Sequence, residues 1–443
     1  MLTSDGFPPL GAELLAGDYF VPAYPPFSYW TAEDVRAYQA RLARPAEGGA
    51  PFGLYVHVPF CARRCDYCYY LSYAGKSPET IDGYLDALLG EAELYGRTPA
   101  LAGRAADFVY FGGGTPSLLS LERIRRLIDG LKAAFPWHRA REVNFECAPQ
   151  TVTGEKLRLL ADAGVTRLSL GIQQLNDAVL LANGRMHLTA DVERAYELVR
   201  AAGFPVVNVD LMVGLVAETD DTFFDSLQRI IGMDPDSVTI YQLEVRGNTP
   251  LFQSLKNGSR SDGLAPWTVK RARLARAFSR LREAGYTITS AYAAVKDPAR
   301  HRFFYQEEQY HGADLIGLGV ASFGYLDGTH YQNMASLGEY NAALAAGLLP
   351  LGRAYALSAE ERMVREFVLQ LKLGGCPTRY FQEKFGLNVL RRFAEPLAAL
   401  AARGWLLLDA EHVRVTDEGL VRVDRLLDWF YLPRHRAASD CDW

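Results

Sequence analysis

"VPFCARRCDYCYY", residues 58–70, brings Cys61, Cys65 and Cys68 within eight residues and then stops. A structural zinc needs a closed tetrahedron of four nitrogen or sulfur ligands. A cubane [4Fe–4S] cluster has four irons, so three thiolates leave one iron open to something other than protein. The spacing by itself leaves both readings standing, with His57 or Cys147 available as a fourth zinc ligand. The rest of the chain has to decide.

With 443 residues, the chain exceeds one small core and suits a large domain plus a smaller one. Hydrophobic residues make up 49% and charged residues 22%, the balance of a water-exposed globular protein. A formal charge of −5 argues against a dedicated nucleic-acid binder, which shows a basic face. No apolar run approaches the ~20 residues of a membrane-spanning helix, and "MLTSDGFPPLGAELL" lacks the basic start of a signal peptide. The expectation is a cytoplasmic protein with reduced thiols and neither a membrane nor a nucleic-acid partner. Six cysteines there point to metal or redox chemistry, and the scattered Cys147, Cys376 and Cys441 read as packed or idle thiols.

Residues 1–50 are irregular, and "VPAYPPFSYW" is the kind of Pro- and aromatic-rich stretch that lies along another domain. From "FGLYVHVPF" onward, strand and helix patterns alternate. Strands are expected at 53–59, 107–112, 142–147, 166–172, 205–212 and 237–243. Between them run amphipathic segments such as "TIDGYLDALLGEAELYG", "LERIRRLIDGLKAAF" and "LTADVERAYELVRAAGF". Six βα units predict an α/β fold with a parallel sheet curled into a partial (β/α)6 barrel over 51–290, its site at the C-terminal strand ends. The cysteine loop, "FGGGTP", "ECAP", "GIQQ" and "DLMVGL" follow five of these strands and therefore share one face. Residues 291–354 are expected to connect on the substrate side. Residues 355–443 read as helices, a short hairpin and a last helix: a winged-helix-like domain too poor in basic residues to read DNA.

Cys61-x3-Cys65-x2-Cys68 resembles the cluster motif of the radical S-adenosylmethionine enzymes. The resemblance implies a [4Fe–4S] cluster on these three cysteines, with S-adenosyl-L-methionine chelating the open iron and cleaved on reduction to a 5′-deoxyadenosyl radical. It also implies an electron donor such as flavodoxin or ferredoxin. Tyr67 matches the aromatic that meets the adenine, and Gly113, Gly114 and Thr115 of "GGGTP" match the glycine motif that approaches the methionine amino group. By the same resemblance Tyr55, Glu146, Gln173, Arg185 and Asp210 are cofactor-binding, Arg185 at the carboxylate and the acids at ribose or amino groups.

Taken together, "LYVHVPFCARRCDYC", "FGGGTPSLL", "FECAPQTVT", "RLSLGIQQLNDAVLLANGR" and "NVDLMVGL" look like the oxygen-independent coproporphyrinogen III oxidases and their relatives. "LIGLGVASFGYLDGTHYQN" resembles the segment that holds a second S-adenosylmethionine or the substrate there, which makes Gly319, Ser322 and Gln332 candidates. The oxidases carry a fourth cysteine two residues beyond the last cluster cysteine, where this chain has Tyr70. The haem-chaperone relatives lack that cysteine too, but carry an "HN…YW" segment where this chain reads "RHRFFYQEEQYHGADLIGLG". Class C radical methyltransferases and cyclopropane-forming enzymes are a third group of relatives. The expected activity is carbon transfer (C-methylation or cyclopropanation) from a second S-adenosylmethionine to a small or medium organic molecule. Haem chaperoning and coproporphyrinogen decarboxylation are the alternatives. Tyr69, Tyr70, Tyr73, Phe323, Tyr325 and Tyr331 are candidates for a stacking wall against a flat, conjugated substrate.

Overall fold

The computed structural model describes residues 23–46, 49–259 and 264–436. In chain order the strands are β1 (Phe52–Val58), β2 (Phe60–Cys61), β3 (Tyr73–Ala74), β4 (Phe108–Gly113), β5 (Glu142–Cys147), β6 (Arg167–Gln173), β7 (Val206–Val213) and β8 (Ser237–Gln242). They are followed by β9 (Thr287–Ile288), β10 (Ala293–Val295), β11 (Asp314–Leu318), β12 (Phe323–Leu326), β13 (Thr329–Asn333) and β14 (Leu351–Ala356). The helices used below are α1 (Val35–Leu42), α2 (Pro78–Gly96), α3 (Leu121–Ala134), α4 (Gly154–Asp162), α5 (Asp177–Ala182), α6 (Thr189–Ala201) and α7 (Asp220–Met233). Beyond them lie α8 (Pro250–Lys256), α9 (Trp267–Glu283), α10 (Phe304–Tyr310), α11 (Leu337–Ala345) and α12 (Ala359–Leu371).

The six strands expected from the sequence are β1, β4, β5, β6, β7 and β8, each within a residue or two of its predicted place. Their alternation is the reason. Leu54, Val56 and Val58, like Leu168, Leu170 and Ile172, are fully buried at every second position, while the residues between them are more polar. Helices start where a side chain accepts from the first turn: Ser77 from Thr80, Ser120 from Arg123, Thr153 from Lys156 and Asn176 from Val179. Helical crossovers force the strands they connect to run parallel, and β1, β4, β5, β6 and β7 do.

By compactness the chain forms two units. One holds Trp30–Leu211 and Phe303–Ala356. Its strands run in the order β14-β13-β12-β11-β1-β4-β5-β6-β7. Of the stretch 291–354, expected to be a connection, the part from residue 303 onward extends this sheet: β11 is parallel to β1, and β12, β13 and β14 follow as an antiparallel meander. The part of the N-terminal segment that belongs here lies along the meander, with Thr31 paired to Ala354 and Tyr38 stacked on Tyr331 at 4.4 Å. The remainder of the expected N-terminal segment, through residue 22, is outside the described residues, as is Cys441.

The other unit holds Met212–Arg302 and the chain from Leu357 onward, together with 23–29. Here β10 pairs antiparallel with β8 and with β9. Phe367 of α12 centres an aromatic core with Phe381, Phe393 and Phe430 at 5.5, 4.7 and 5.0 Å. A hairpin, Leu406–Leu408 with His412–Val415, pairs with Gly375–Pro377 to form a small wing. Helices with a three-stranded wing are the arrangement expected after residue 355.

Candidate functional site

The candidate site lies within the unit that contains β1. The cysteine loop leaves β1 and is pinned where β2 pairs with β3, Phe60 opposite Tyr73 and Cys61 opposite Ala74. Inside it Cys68 N–H donates to Cys65 O at 3.2 Å, and Arg64 donates twice to the Cys68 carbonyl, at 2.8 and 3.2 Å. The three thiols are half-buried and free. Burial raises the Cys61 thiol and pushes Cys68 up to about 11, so ionising them needs a compensating cation or metal. Among the described residues no three His, Cys, Asp or Glu side chains converge as ligands of one ion would. The nitrogens of His57 already face Tyr55 Oη and Leu71 O, both at 3.2 Å. Burial holds that imidazole neutral, at about 4. Cys147 is buried and pushed up to about 12. Neither is presented to the loop as a fourth ligand.

At the end of β4 the backbone turns along the cysteine loop. Gly114 N–H donates to Val58 O and Thr115 N–H to Phe60 O, each at 2.8 Å, and the Thr115 hydroxyl reaches Cys61 Sγ at 3.6 Å. Gly113 has φ +110°, and a β-carbon on it would stand 2.6 Å from the His57 ring. A β-carbon on Gly114 would stand 2.7 Å from the Phe60 carbonyl oxygen. Only glycine permits this approach.

The next strand ends carry a polar line. Tyr110 on β4 donates to Glu146 on β5 at 2.5 Å. Burial pushes the Glu146 carboxyl up to about 7; the Tyr110 hydroxyl opposes the rise and Asp210 adds to it. Ser169 donates to Asn144 at 3.0 Å, and Asn208 donates to Ser169 at 3.5 Å and to Asp210 at 2.8 Å, carrying the line from β5 across β6 to β7. Gln173 closes β6 with φ +68°, a strained conformation for a residue with a β-carbon, and its Oε1 is buried without a hydrogen-bond partner.

Arg185 follows α5 and reaches back to the cysteine loop. Its Nη1 lies 3.4 Å from Cys65 Sγ, while Nη2 donates to Gly171 O at 2.6 Å and faces His187 Nδ1 at 3.3 Å. Its Nε is buried without a partner. The same connection touches the loop through Asp66 N–H, which donates to Asn183 O at 3.2 Å. Tyr67 is half-buried between these groups, and its hydroxyl makes no well-formed hydrogen bond.

Cys61, Cys65, Cys68, Tyr67, Gly113, Gly114, Thr115 and Arg185 thus gather around one loop, with Glu146, Gln173 and Asp210 on successive strand ends of the same edge. Gly319, Ser322 and Gln332 sit differently. The Ser322 hydroxyl donates to Gly319 O at 2.6 Å, and Gln332 bonds Ala321 O and Arg353 at 3.2 and 2.6 Å. Gly319 N–H donates to the buried Glu91, which also accepts from Asn333 and Tyr340. These polar atoms are used within the fold.

The expected aromatic wall divides. Tyr325 and Tyr331 are core residues, Tyr331 being fully buried with its hydroxyl on Gly317 N–H, because β13 packs its ring against Tyr38 of α1 and Tyr95 of α2. Tyr69 and Tyr70 stack on each other at 4.7 Å, and Tyr70 is 46% exposed. Sequence reasoning missed the rings that gather on Tyr55: Tyr110, Phe303 and Tyr305, with Tyr55–Tyr110 at 5.8 Å and Tyr110–Tyr305 at 4.5 Å. "RHRFFYQ" held the signal, but its placement against β4 depends on a contact far along the chain. His187, two residues after Arg185, was also missed.

The chain matches the Radical SAM superfamily over residues 55–230 and the HemN C-terminal domain over 357–422. It is 31% identical to the haem chaperone HemW of Mycobacterium tuberculosis over 82% of this chain and 94% of that protein. It is 28% identical to the oxygen-independent coproporphyrinogen III oxidase of Pseudomonas aeruginosa over 87% of each chain. Its fold superposes on the radical SAM coproporphyrinogen III oxidase HemN of Escherichia coli with a TM-score of 0.80 and 25% identity, covering 93% of this chain and 96% of that one.

Proposed function

Because this chain belongs to the radical SAM superfamily and, within it, to the HemN/HemW subfamily, we propose that it handles a tetrapyrrole in the manner of the haem chaperones. The observation that carries this reading is Tyr70. It stands where the oxidases have a further cysteine, and it presents an exposed ring stacked on Tyr69 beside the cysteine loop. A thiol there could take part in redox chemistry; a pair of aromatic faces offers a flat macrocycle a stacking surface. Carbon transfer, the activity expected from the motifs, has no counterpart in the names of these relatives, which are haem chaperones and coproporphyrinogen oxidases.

The cofactors of this family are a [4Fe–4S] cluster and S-adenosylmethionine. The donor set fits them: three free thiols on one loop, a glycine bend too close-packed for a β-carbon, and buried atoms of Arg185 and Gln173 without partners. When bound, the pair supplies one-electron reductive cleavage of a carbon–sulfur bond. In this reading Cys61, Cys65 and Cys68 hold three irons, and Gly113 and Gly114 admit the methionine head. Glu146 and Asp210 accept hydrogen bonds from its amino or ribose groups, Tyr67 and Tyr55 line its ring side, and Arg185 places positive charge against the thiolates. Electrons come from a flavodoxin- or ferredoxin-type donor. No described helix is long and apolar enough to cross a membrane, and we place the protein in the cytoplasm.

The deciding experiment is anaerobic reconstitution followed by three assays on one preparation. Haem titration is expected to give stoichiometric uptake that Tyr70→Ala weakens several-fold without loss of iron. Coproporphyrinogen III is expected to remain undecarboxylated. Decarboxylation turnover would make the chain an oxidase, and S-adenosylhomocysteine formed with substrate would restore carbon transfer.

A further inference from the structure

His187 is fully buried two residues beyond Arg185, and both of its ring nitrogens are engaged. Nε2 lies 2.9 Å from the Ile172 carbonyl, which can only accept, so Nε2 carries the proton. Nδ1 is then an acceptor, and it faces Arg185 Nη2 at 3.3 Å. The same Nη2 donates to Gly171 O at 2.6 Å, which leaves Nη1 aimed at Cys65 Sγ at 3.4 Å. The strand end of β6 therefore holds the imidazole, the imidazole and Gly171 hold the guanidinium, and the guanidinium meets the thiol. Burial, with Arg185 beside it, keeps His187 neutral, at about 3, so it stays an acceptor at any working pH.

From this geometry we infer that His187 is a positioning residue: it orients Arg185 so that one N–H is fixed on the sulfur of Cys65, and through that hydrogen bond it sets the reduction potential of the cluster. The inference rests on the reading of Cys61, Cys65 and Cys68 as cluster ligands. Hydrogen bonds and positive charge at a ligating sulfur stabilise the more negative, reduced cluster and raise its potential, and groups behind the ligands govern such contacts. A histidine serving only to fill space would not alter the potential.

The test uses the full chain, reconstituted anaerobically, in four forms: wild type, Met186→Ala, His187→Leu and His187→Gln. Leucine keeps much of the volume and removes both hydrogen bonds; glutamine supplies one donor and one acceptor. Met186 lies between Arg185 and His187 but is 54% exposed, so its truncation controls for disturbance of the loop. Iron content is measured first, and a wild-type protein without a cluster overturns the ligand reading itself. The midpoint potential is then followed by electron paramagnetic resonance, which reports only assembled clusters and so remains readable in a partly loaded variant. The expected result is one potential for wild type, Met186→Ala and His187→Gln, and a more negative one for His187→Leu. An unchanged potential in His187→Leu, or an equal shift in Met186→Ala, overturns the positioning role.

Discussion

The hydroxyl of Tyr110 on β4 donates to the carboxylate of Glu146 on β5 at 2.5 Å, and that contact opposes the rise that burial imposes on the carboxyl. Burial raises Glu146 from 4.5 to about 7. A carboxyl raised in the folded state favours the fold while protonated. That contribution is full below about 4.5 and is lost as the pH rises through about 7. Glu146→Gln is therefore expected to stabilise the cofactor-free protein by roughly 1–3 kcal/mol near pH 8 and to change little near pH 5. Unfolding followed at both pH values checks it; equal effects at the two would show that Glu146 ionises normally.

Glu91 tests the same physics away from the cysteines. It is fully buried on α2 and accepts from Gly319 N–H, Asn333 and Tyr340 at 2.7, 2.6 and 2.6 Å. Glu91→Ala strands three donors and is expected to cost roughly 3–5 kcal/mol, a fall in Tm on the order of 10 °C. Glu91→Gln keeps an acceptor oxygen and should lose much less. Differential scanning calorimetry distinguishes them, and an alanine variant that melts like wild type would mean this junction bears no structural burden.

Individual alanine replacements of Cys61, Cys65 and Cys68 should each drop bound iron from about four per chain towards zero. Cys147→Ala and Cys376→Ala should keep full iron, because both thiols are buried and neither belongs to the Cys61–Cys68 loop. Iron and sulfide analysis decides the matter, and a cluster that survives loss of any of the three would reassign the ligands.

Gly114→Val is expected to be more damaging than its exposure implies. The β-carbon would meet the Phe60 carbonyl at 2.7 Å, and backbone on the far side cannot retreat as a side chain can. Iron retention and S-adenosylmethionine affinity should both fall, the affinity by at least about ten-fold, or about 1.4 kcal/mol. Calorimetric titration showing wild-type affinity would place the methionine head elsewhere.

Much of this was legible along the chain. Apolar residues at every second position marked β1 and β6, and three- and four-residue spacing marked α2, α3 and α6, since each pattern buries one face of a local element. The cysteine spacing, the glycine run and the polar strand ends were visible for the same reason. The aromatic residues were not sorted correctly. Tyr70 and Tyr331 look alike in sequence, yet one is exposed beside the cysteines and the other is sealed under Tyr38 and Tyr95. The Nη1 contact of Arg185 with Cys65 could not be read from the sequence, which marked Arg185 only as a partner for a cofactor carboxylate; its Nε is buried without a partner.

The sequence by itself therefore determined the six βα units, the winged C-terminal part and the edge that gathers the cysteine loop and the glycine bend, because periodicity and short spacing are properties of neighbouring residues. Only the tertiary structure decided what those side chains meet. Glu91 and Gly319 are 228 positions apart, and Arg185 and Cys65 are 120 apart. It also decided that residues 303–356 extend the barrel sheet through β11 rather than connect two domains. A hydrogen-bond partner that far along the chain is selected by the register of strands and the packing of helices, and neither is written in any local stretch.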